Sequence, residues 1–439
     1  MAVTFRGGLH IPDHKTATNN IPIKTIDGSE VHVYPVIQHI GAPAEPVVAP
    51  GDKVYVGDVL ADSSAAVSVP VHSSVSGVVK EIKKCLHPSG NMVNAIWVEN
   101  DGEYTVSDKI VPKDPDKMTP EEMLEVIRNA GIMGMGGAGF PTHIKLSPPK
   151  DKKITHIIVN GAECEPYLTS DDRRMTETPE TVIDGLKICT KLLGLDKGYI
   201  GVESNKPEAI KALKRVKDSS IEVMTLVTKY PQGAEKQLIN AITKRQVPSG
   251  GLPADAGAIV LNIDTVTNIS RAFRTGMPVT NRIVTMSGDC IAKPQNFEAR
   301  TGMNIGDLIA AAGGFVKEPE KVIIGGPMMG VAQYSLDVPV IKTTSAVIAL
   351  SKAEKVYDPD TACIRCGKCV DCCPMRLMPL YLNKYIREGK LDMAEKYNVL
   401  DCIECGVCSY LCPGLQSPLN NIRVAKQKIL ENRRKNNGK

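Results

Sequence analysis

Apolar and polar positions follow two different rhythms along the 439 residues of the chain. Between residues 31 and 100 the apolar positions are mostly valine, in short β-branched runs. The stretch "PVVAPGDKVYVGDVLADSSAAVSVPVHSSVSGVVKEI" sets Pro50-Gly51-Asp52 and Val56-Gly57-Asp58 turns between them, which predicts a small β domain. Residues 101–118 are polar and proline-bearing, a linker. At Thr119 the period lengthens: Thr119-Pro120-Glu121-Glu122 spells a capping box with proline at the first helical position, opening "EEMLEVIRNA". Strand "ITHIIVN", helix "PETVIDGLKICTKLLG", strand "GYIGVE", helix "KPEAIKALKRV" and strand "IEVMTLV" follow in turn. Such alternation, running to about residue 280, predicts an α/β sheet with helices on its faces.

After residue 280 the pattern changes again. Strand "NRIVTMSGD", the short helix "NIGDLIAAAGG" and "KVIIGGPMMG" look like a small β-grasp module of the soluble-ligand-binding (SLBB) type. The valine-rich N-terminal domain resembles the barrel-sandwich fold of biotinyl and lipoyl carriers. Those carriers hold a lysine at a hairpin tip, where Ser63-Ser64-Ala65-Ala66 stands here, so the domain keeps the fold without the prosthetic group. The expected fold is multidomain α/β plus α+β. It runs as an N-terminal arm (1–30), a barrel-sandwich hybrid (31–100), an α/β domain (115–280), a β-grasp module (281–350), a helical cysteine-rich domain (351–420) and a basic tail (421–439). The tail reads as a solvated terminal helix in preference to a contact with a membrane partner.

Composition narrows the class. With 42% hydrophobic and 4% aromatic residues, the core must rest on aliphatic side chains and methionine. A net charge of +4 over this length is too small to argue for nucleic acid. No apolar run approaches the ~18 residues that span a bilayer, and "MAVTFRGGLHIPDHK" lacks the apolar core of a signal peptide. The expectation is a protein of the cytoplasm, or one docked peripherally on the cytoplasmic side of a membrane.

The thirteen cysteines change the picture most, because nine of them fall within residues 363–412. Clustered thiols without a signal peptide point to metal and not to disulfides. "CIRCGKCVDCCP" supplies Cys363, Cys366, Cys369 and Cys373, and "CIECGVCSYLCP" supplies Cys402, Cys405, Cys408 and Cys412. Both obey C-x2-C-x2-C-x3-C-P, in which three thiolates wrap one iron–sulfur cube and the fourth reaches the other. One [4Fe–4S] cluster is therefore assigned to Cys363, Cys366, Cys369 and Cys412, and a second to Cys402, Cys405, Cys408 and Cys373. Tetrahedral zinc also uses C-x2-C pairs, but two complete copies each closing on Cys-Pro favour iron–sulfur. Cys372 is an alternative ligand by position and reads better as a spare thiol. The spacer "LMPLYLNKYIREGKLDMAEKYNVL" is helical in pattern, so the domain is more helical than a minimal ferredoxin.

Two clusters form a wire, which needs a source or sink of electrons. "GIMGMGGAGFPTHIKL" (131–146) spells G-x-G-x-x-G at Gly134, Gly136 and Gly139, yet a helix enters it where a dinucleotide turn needs a strand. Alone it also reads as a structural glycine turn. Downstream come "IIVNGAECEPYLTSDDRRM", "YPQGAEKQLI", "VPSGGLPADAG" and "LNIDTVTNI". Together these resemble the flavin- and NADH-binding subunit of respiratory complex I, with its G-R-G-G-A-G-F-P-T-G-x-K, N-A-D-E-G-E-P and Y-x-x-G-E-E segments. The resemblance implies that Gly134, Gly136, Gly137, Gly139 and Lys145 line FMN, and that Asn160, Glu163, Glu165, Gly233, Glu235 and Asn262 complete the flavin and NADH pocket. Exposed amides and a lysine suit a phosphate. The chain departs from that pattern at Met135 (arginine there), Ala162 (aspartate), Cys164 (glycine) and Ala234 (glutamate).

The order of modules, and the opening "TFRGGLHIPDHK", resemble the C subunit of the Rnf complex, an ion-translocating ferredoxin:NAD oxidoreductase. Cobalamin reductase of propanediol-utilising compartments has similar parts but begins with the flavin domain. The resemblance implies an enzyme subunit passing electrons between NADH, FMN and two [4Fe–4S] clusters, with other subunits of a membrane-bound complex, one of them ferredoxin-like, as partners. Hydride transfer requires no side-chain acid or base, so no catalytic residue is expected. Glu165 is the candidate for fixing the nicotinamide, and Cys164 for packing against the flavin. A non-catalytic iron–sulfur relay scaffold remains the alternative.

Overall fold

A computed structural model describes residues 2–351 and 361–437. Residues 352–360, where the cysteine-rich domain was expected to begin, lie outside the described residues, as do Met1 and the last two residues of the tail.

The valine-rich segment forms two antiparallel sheets. One orders Val31–Pro35, Met92–Asn100, Gly77–Leu86 and Lys53–Val54, and the other Glu45–Pro46, Val59–Asp62 and Val71–His72. Tyr34, Leu60, Val75, Ile96 and Val98 fill the space between them. The linker is anchored at two points: Val106 bridges Val56, and Lys113 N–H donates to the Phe273 carbonyl.

The α/β domain is a four-stranded parallel sheet in the order Ile221–Leu226, Gly198–Glu203, His156–Gly161, Ala258–Asn262. Its strands are apolar along their length because helices cover both faces, with separate cores on the two sides. The strand order reverses between His156–Gly161 and Ala258–Asn262, which opens a crevice at their carboxyl ends. Asn160 and Asn262 are register partners there. Ala258–Asn262 and the helix it enters, Ile263–Thr275, were not singled out as elements from the sequence. That helix lies tightly on helix Pro179–Leu192 because Gly185 has no side chain; a Cβ there would stand 1.9 Å from the Val266 carbonyl oxygen.

The β-grasp module is a six-stranded sheet whose edge, Lys24–Thr25, comes from the N-terminal arm and pairs with Phe297 and Glu298. The arm is thus no free extension. Val3 bridges Leu226, Leu9 bridges Tyr230, and Gly8 N–H donates to the Cys372 carbonyl.

In the cysteine-rich domain, helices Pro379–Arg387 and Leu391–Lys396 occupy the expected spacer. The terminal helix departs from expectation. It begins at Pro418, and Leu419, Ile422, Ala425 and Ile429 are buried, in part against Leu382 and Ala394. Its charge-rich composition hides an apolar stripe at i, i+3, i+6 and i+10, so the helix is solvated on one side only.

Candidate functional site

All eleven residues expected to hold flavin and NADH line a single cleft of about 490 Å3 at the sheet's crevice. The glycine loop follows helix Pro120–Asn129, whose capping box of Thr119 and Glu122 is formed. Gly134 N–H donates to the Phe140 carbonyl (2.8 Å) and Met133 bridges Pro141, so the loop folds back on itself. Met135 N–H donates to Thr265 Oγ1 (3.0 Å). At Gly136 a Cβ would come within 2.7 Å of Asn262 Nδ2, whereas at Gly137 it would meet nothing within 4 Å. The crest of the loop therefore presents bare backbone to the cleft. Across the opening, Lys145 Nζ and Glu235 Oε1 pair at 2.5 Å.

Asn160 and Asn262 act through the backbone on either side of the crevice. Asn160 Nδ2 donates to the Gly233 carbonyl (2.7 Å). Asn262 Oδ1 accepts from Asp264 N–H (2.8 Å), capping helix Ile263–Thr275, while its Nδ2 donates to Asp171 (2.8 Å). Glu163 lines the cleft while its carboxylate accepts from Asp171 N–H (2.7 Å), Asp172 N–H (3.3 Å) and Ser170 Oγ (3.3 Å) at the start of helix Ser170–Glu177.

Glu165 accepts from Met328 N–H (3.0 Å) of the β-grasp module and from the Tyr230 hydroxyl (3.2 Å). Burial pushes its carboxyl up to about 7 against the pull of those two donors. Asp171 is pushed up to about 8 by burial, with Glu163 and Asp264 adding to the effect. Beneath the loop, Arg282 of the β-grasp module forms a buried ion pair with Asp264 and donates to the Met135 carbonyl (3.0 Å). The cleft is thus a joint product of two modules.

The cysteines fall into two groups across the motifs. Cys373, Cys402, Cys405 and Cys408 line one apolar cavity. Burial raises the Cys408 thiol, and neighbouring Cys402, Cys405 and Cys373 raise it further. Cys369 is raised by burial and then by Cys363 and Cys412. Cys373 thus shares a cavity with the second motif's Cys402, Cys405 and Cys408, and Cys412 lies close enough to Cys369 to raise its thiol. The two loops repeat one backbone path: Arg365 and Glu404 have φ +56° and +58°, Gly367 and Gly406 +76° and +79°, Arg376 and Leu415 +56° and +49°. Cys372 is buried, its thiol donating to the Cys369 carbonyl at 3.6 Å. Ile403 lines both the cysteine cavity and the cleft, and the Tyr230 hydroxyl reaches the Cys405 carbonyl (2.9 Å).

Four family models match in sequence order: the RnfC barrel sandwich hybrid domain (residues 3–103), the Nuo51 FMN-binding domain (127–271), the SLBB domain (283–332) and the 4Fe-4S dicluster domain (354–413). Over 437 residues the chain is 47% identical to the C subunit of the Na(+)-translocating ferredoxin:NAD(+) oxidoreductase complex of Acetobacterium woodii, covering 99% of both chains. The chain belongs to the RnfC family.

Other relatives of this RnfC-family chain are the C subunits of the proton-translocating ferredoxin:NAD(+) oxidoreductase complex of Clostridium ljungdahlii and of the ion-translocating oxidoreductase complex of Rhodobacter capsulatus. The first is 46% identical (91% of this chain, 88% of the relative) and the second 39% (90% and 78%). Among solved structures, an air-oxidized NAD+-reducing [NiFe]-hydrogenase aligns with a TM-score of 0.49 at 18% identity, over 73% of this chain and 67% of that one. FMN and two [4Fe–4S] clusters are the cofactors of the matched domains.

The departures from the complex I pattern have structural counterparts in the RnfC-family chain. Met135 is buried, and the guanidinium near its loop comes instead from Arg282, 147 residues away. Cys164 accepts from Gly233 N–H (3.3 Å), and burial raises its thiol. Sequence reasoning missed Tyr230, Asp171, Arg282, Met328 and Ile403. The glycines flanking "GGPMMG" were the available signal for Met328: a Cβ at Gly326 would stand 2.1 Å from Glu165 Oε2.

Proposed function

We propose that the chain is the peripheral NAD(H)-binding subunit of an ion-translocating ferredoxin:NAD oxidoreductase complex, held on the cytoplasmic side of the membrane by its partner subunits. Among the described residues no helix is long and apolar enough to cross a membrane. The observation that carries the reading is a shared wall. Ile403 and Tyr230 separate the glycine-loop cleft from the cavity of Cys373, Cys402, Cys405 and Cys408.

The residues present fit a flavin nucleotide. Gly136 and Gly137 leave backbone open to a phosphate, Lys145 supplies a cation, and Asn160 and Asn262 line the crevice. Bound FMN would accept a hydride from NADH and release electrons singly to the clusters. Glu165, held by Met328 and Tyr230, offers a carboxyl to the nicotinamide carboxamide or a ribose hydroxyl. Cys373, Cys402, Cys405 and Cys408 would hold the cluster nearer the cleft. Cys363, Cys366, Cys369 and Cys412 would hold the outer one, where Cys363 and Cys366 are exposed toward a ferredoxin-like partner.

The test is flavin and iron stoichiometry on one anaerobic sample, followed by addition of NADH. One flavin, about eight irons and bleaching by NADH are expected. Zinc in the thiol sites, or no flavin uptake, would overturn the reading.

A further inference from the structure

The turn bearing Glu163 and Glu165 is held from behind by a residue of the N-terminal arm. Lys15 is buried, and its ammonium donates to three carbonyls of this one turn: Glu163 (2.9 Å), Glu165 (2.9 Å) and Leu168. An ammonium has three donors and no acceptor, so the turn satisfies it completely. A second buried lysine, Lys206, donates to the Ala162 carbonyl (2.6 Å) and pairs with Glu203 (3.4 Å). The turn needs such support, because Glu163 and Tyr167 take left-handed backbone angles of +46° and +70° that side chains other than glycine rarely adopt.

The arm follows the turn closely. Tyr167 N–H donates to the Asp13 carbonyl (2.8 Å), and His14 stacks on Tyr167 with ring centroids 4.7 Å apart. The Thr18 and Thr169 hydroxyls meet at 2.7 Å, and Arg173 donates to the Asn19 carbonyl (3.1 Å). With its carbonyls drawn toward Lys15, the turn leaves the Glu163 carboxylate to cap helix Ser170–Glu177 and sets Glu165 at the cleft.

We propose that Lys15 is a positioning residue for NAD(H) and flavin chemistry, fixing the Glu163–Leu168 turn and placing a positive charge behind the cleft. The inference rests on the flavin and NADH reading of that cleft. The charge favours electrons arriving in front of it, and the hydrogen bonds hold Glu165 in place.

The test uses the full chain, purified anaerobically with its cofactors, as Lys15→Met and Lys15→Arg. In Lys15→Met, iron content should stay at the wild-type level and the amides of residues 162–168 should exchange at least about tenfold faster. The flavin midpoint potential should fall because a nearby positive charge is gone, and KM for NADH should rise more than kcat with an artificial acceptor falls. Lys15→Arg keeps the charge but not a compact three-donor head, so it should restore the potential and leave the turn's exchange fast. Loss of flavin with iron retained in Lys15→Met would also support the proposal. Wild-type exchange and potential in Lys15→Met would overturn it, and so would joint loss of iron and flavin, which would make Lys15 a residue of global folding. A wild-type chain that binds no flavin would instead refute the cleft reading, and amide exchange on that protein would still decide the role of Lys15.

Discussion

Neighbouring glycines at the crest of the loop should respond to the same substitution in opposite ways. A side chain at Gly137 meets no protein atom within 4 Å, so Gly137→Val should change stability by no more than about 0.5 kcal/mol. It projects into the cleft, however, where backbone must approach a phosphate. FMN affinity should fall at least about 100-fold, or about 2.7 kcal/mol, with about eight irons retained. At Gly136 the new Cβ would lie 2.7 Å from Asn262 Nδ2 and 2.9 Å from its Cγ, so Asn262 must move. That breaks its cap on Asp264 N–H, about 1 kcal/mol. It also breaks the bond to Asp171. That bond adds about 1 kcal/mol more. Gly136→Val should therefore cost about 2 kcal/mol and lower the melting temperature of the domain by about 4–8 °C, besides losing flavin. The assay is anaerobic purification, acid-released flavin fluorescence, iron determination and a thermal melt of each variant. Stoichiometric flavin in Gly137→Val would refute the loop assignment. Equal melting temperatures for the two variants would refute the role given to Asn262.

The proposed crossed ligation predicts crossed lesions. Cys373→Ala should remove the cluster of the second motif and abolish NADH-driven cluster reduction, whereas Cys412→Ala should spare that reduction and remove the outer cluster's signal in electron paramagnetic resonance; the reverse pattern would undo the assignment. Arg282→Met leaves Asp264 buried without one of its two cations, Arg174 remaining at 3.2 Å, and should destabilise the chain by about 3 kcal/mol in urea melts. Glu165 binds its proton more tightly folded, at about 7, than at its ordinary value of 4.5. Its contribution to stability is therefore full below about pH 4.5 and is lost as pH rises through about 7, by about 3 kcal/mol in the flavin-free chain. Glu165→Gln should flatten that part of the stability profile, and an unchanged slope in urea melts across pH 4.5–7.5 would contradict the burial of its charge.

The two glutamates and the paired asparagines came from the resemblance to the complex I segments and line the cleft, while the eight motif cysteines were picked out by local spacing. The capping box at Thr119 marked the helix that leads into the glycine loop, and it forms as written. What escaped the sequence was supplied across long separations. Arg282 reaches the Met135 carbonyl from another module, and Met328 N–H reaches Glu165 from a β-grasp loop. Neither carries a periodic signature, because each acts through a single backbone contact made only after the modules have docked. The terminal helix misled for another reason: its charged residues outnumber the few apolar ones that form the buried stripe. Strand Ala258–Asn262 is short, and its last residue, Asn262, is itself the N-cap of helix Ile263–Thr275, so no loop sets the two elements apart.

The arm has a consequence for how the chain comes together during synthesis. Gly8 bonds to Cys372 and Lys24 pairs with Phe297, so the arm, made long before its partners, has no complete seat until they have followed. Closure of such distant ends is entropically slow. The segment's final docking thus requires the β-grasp module and the cysteine-rich domain to be in place.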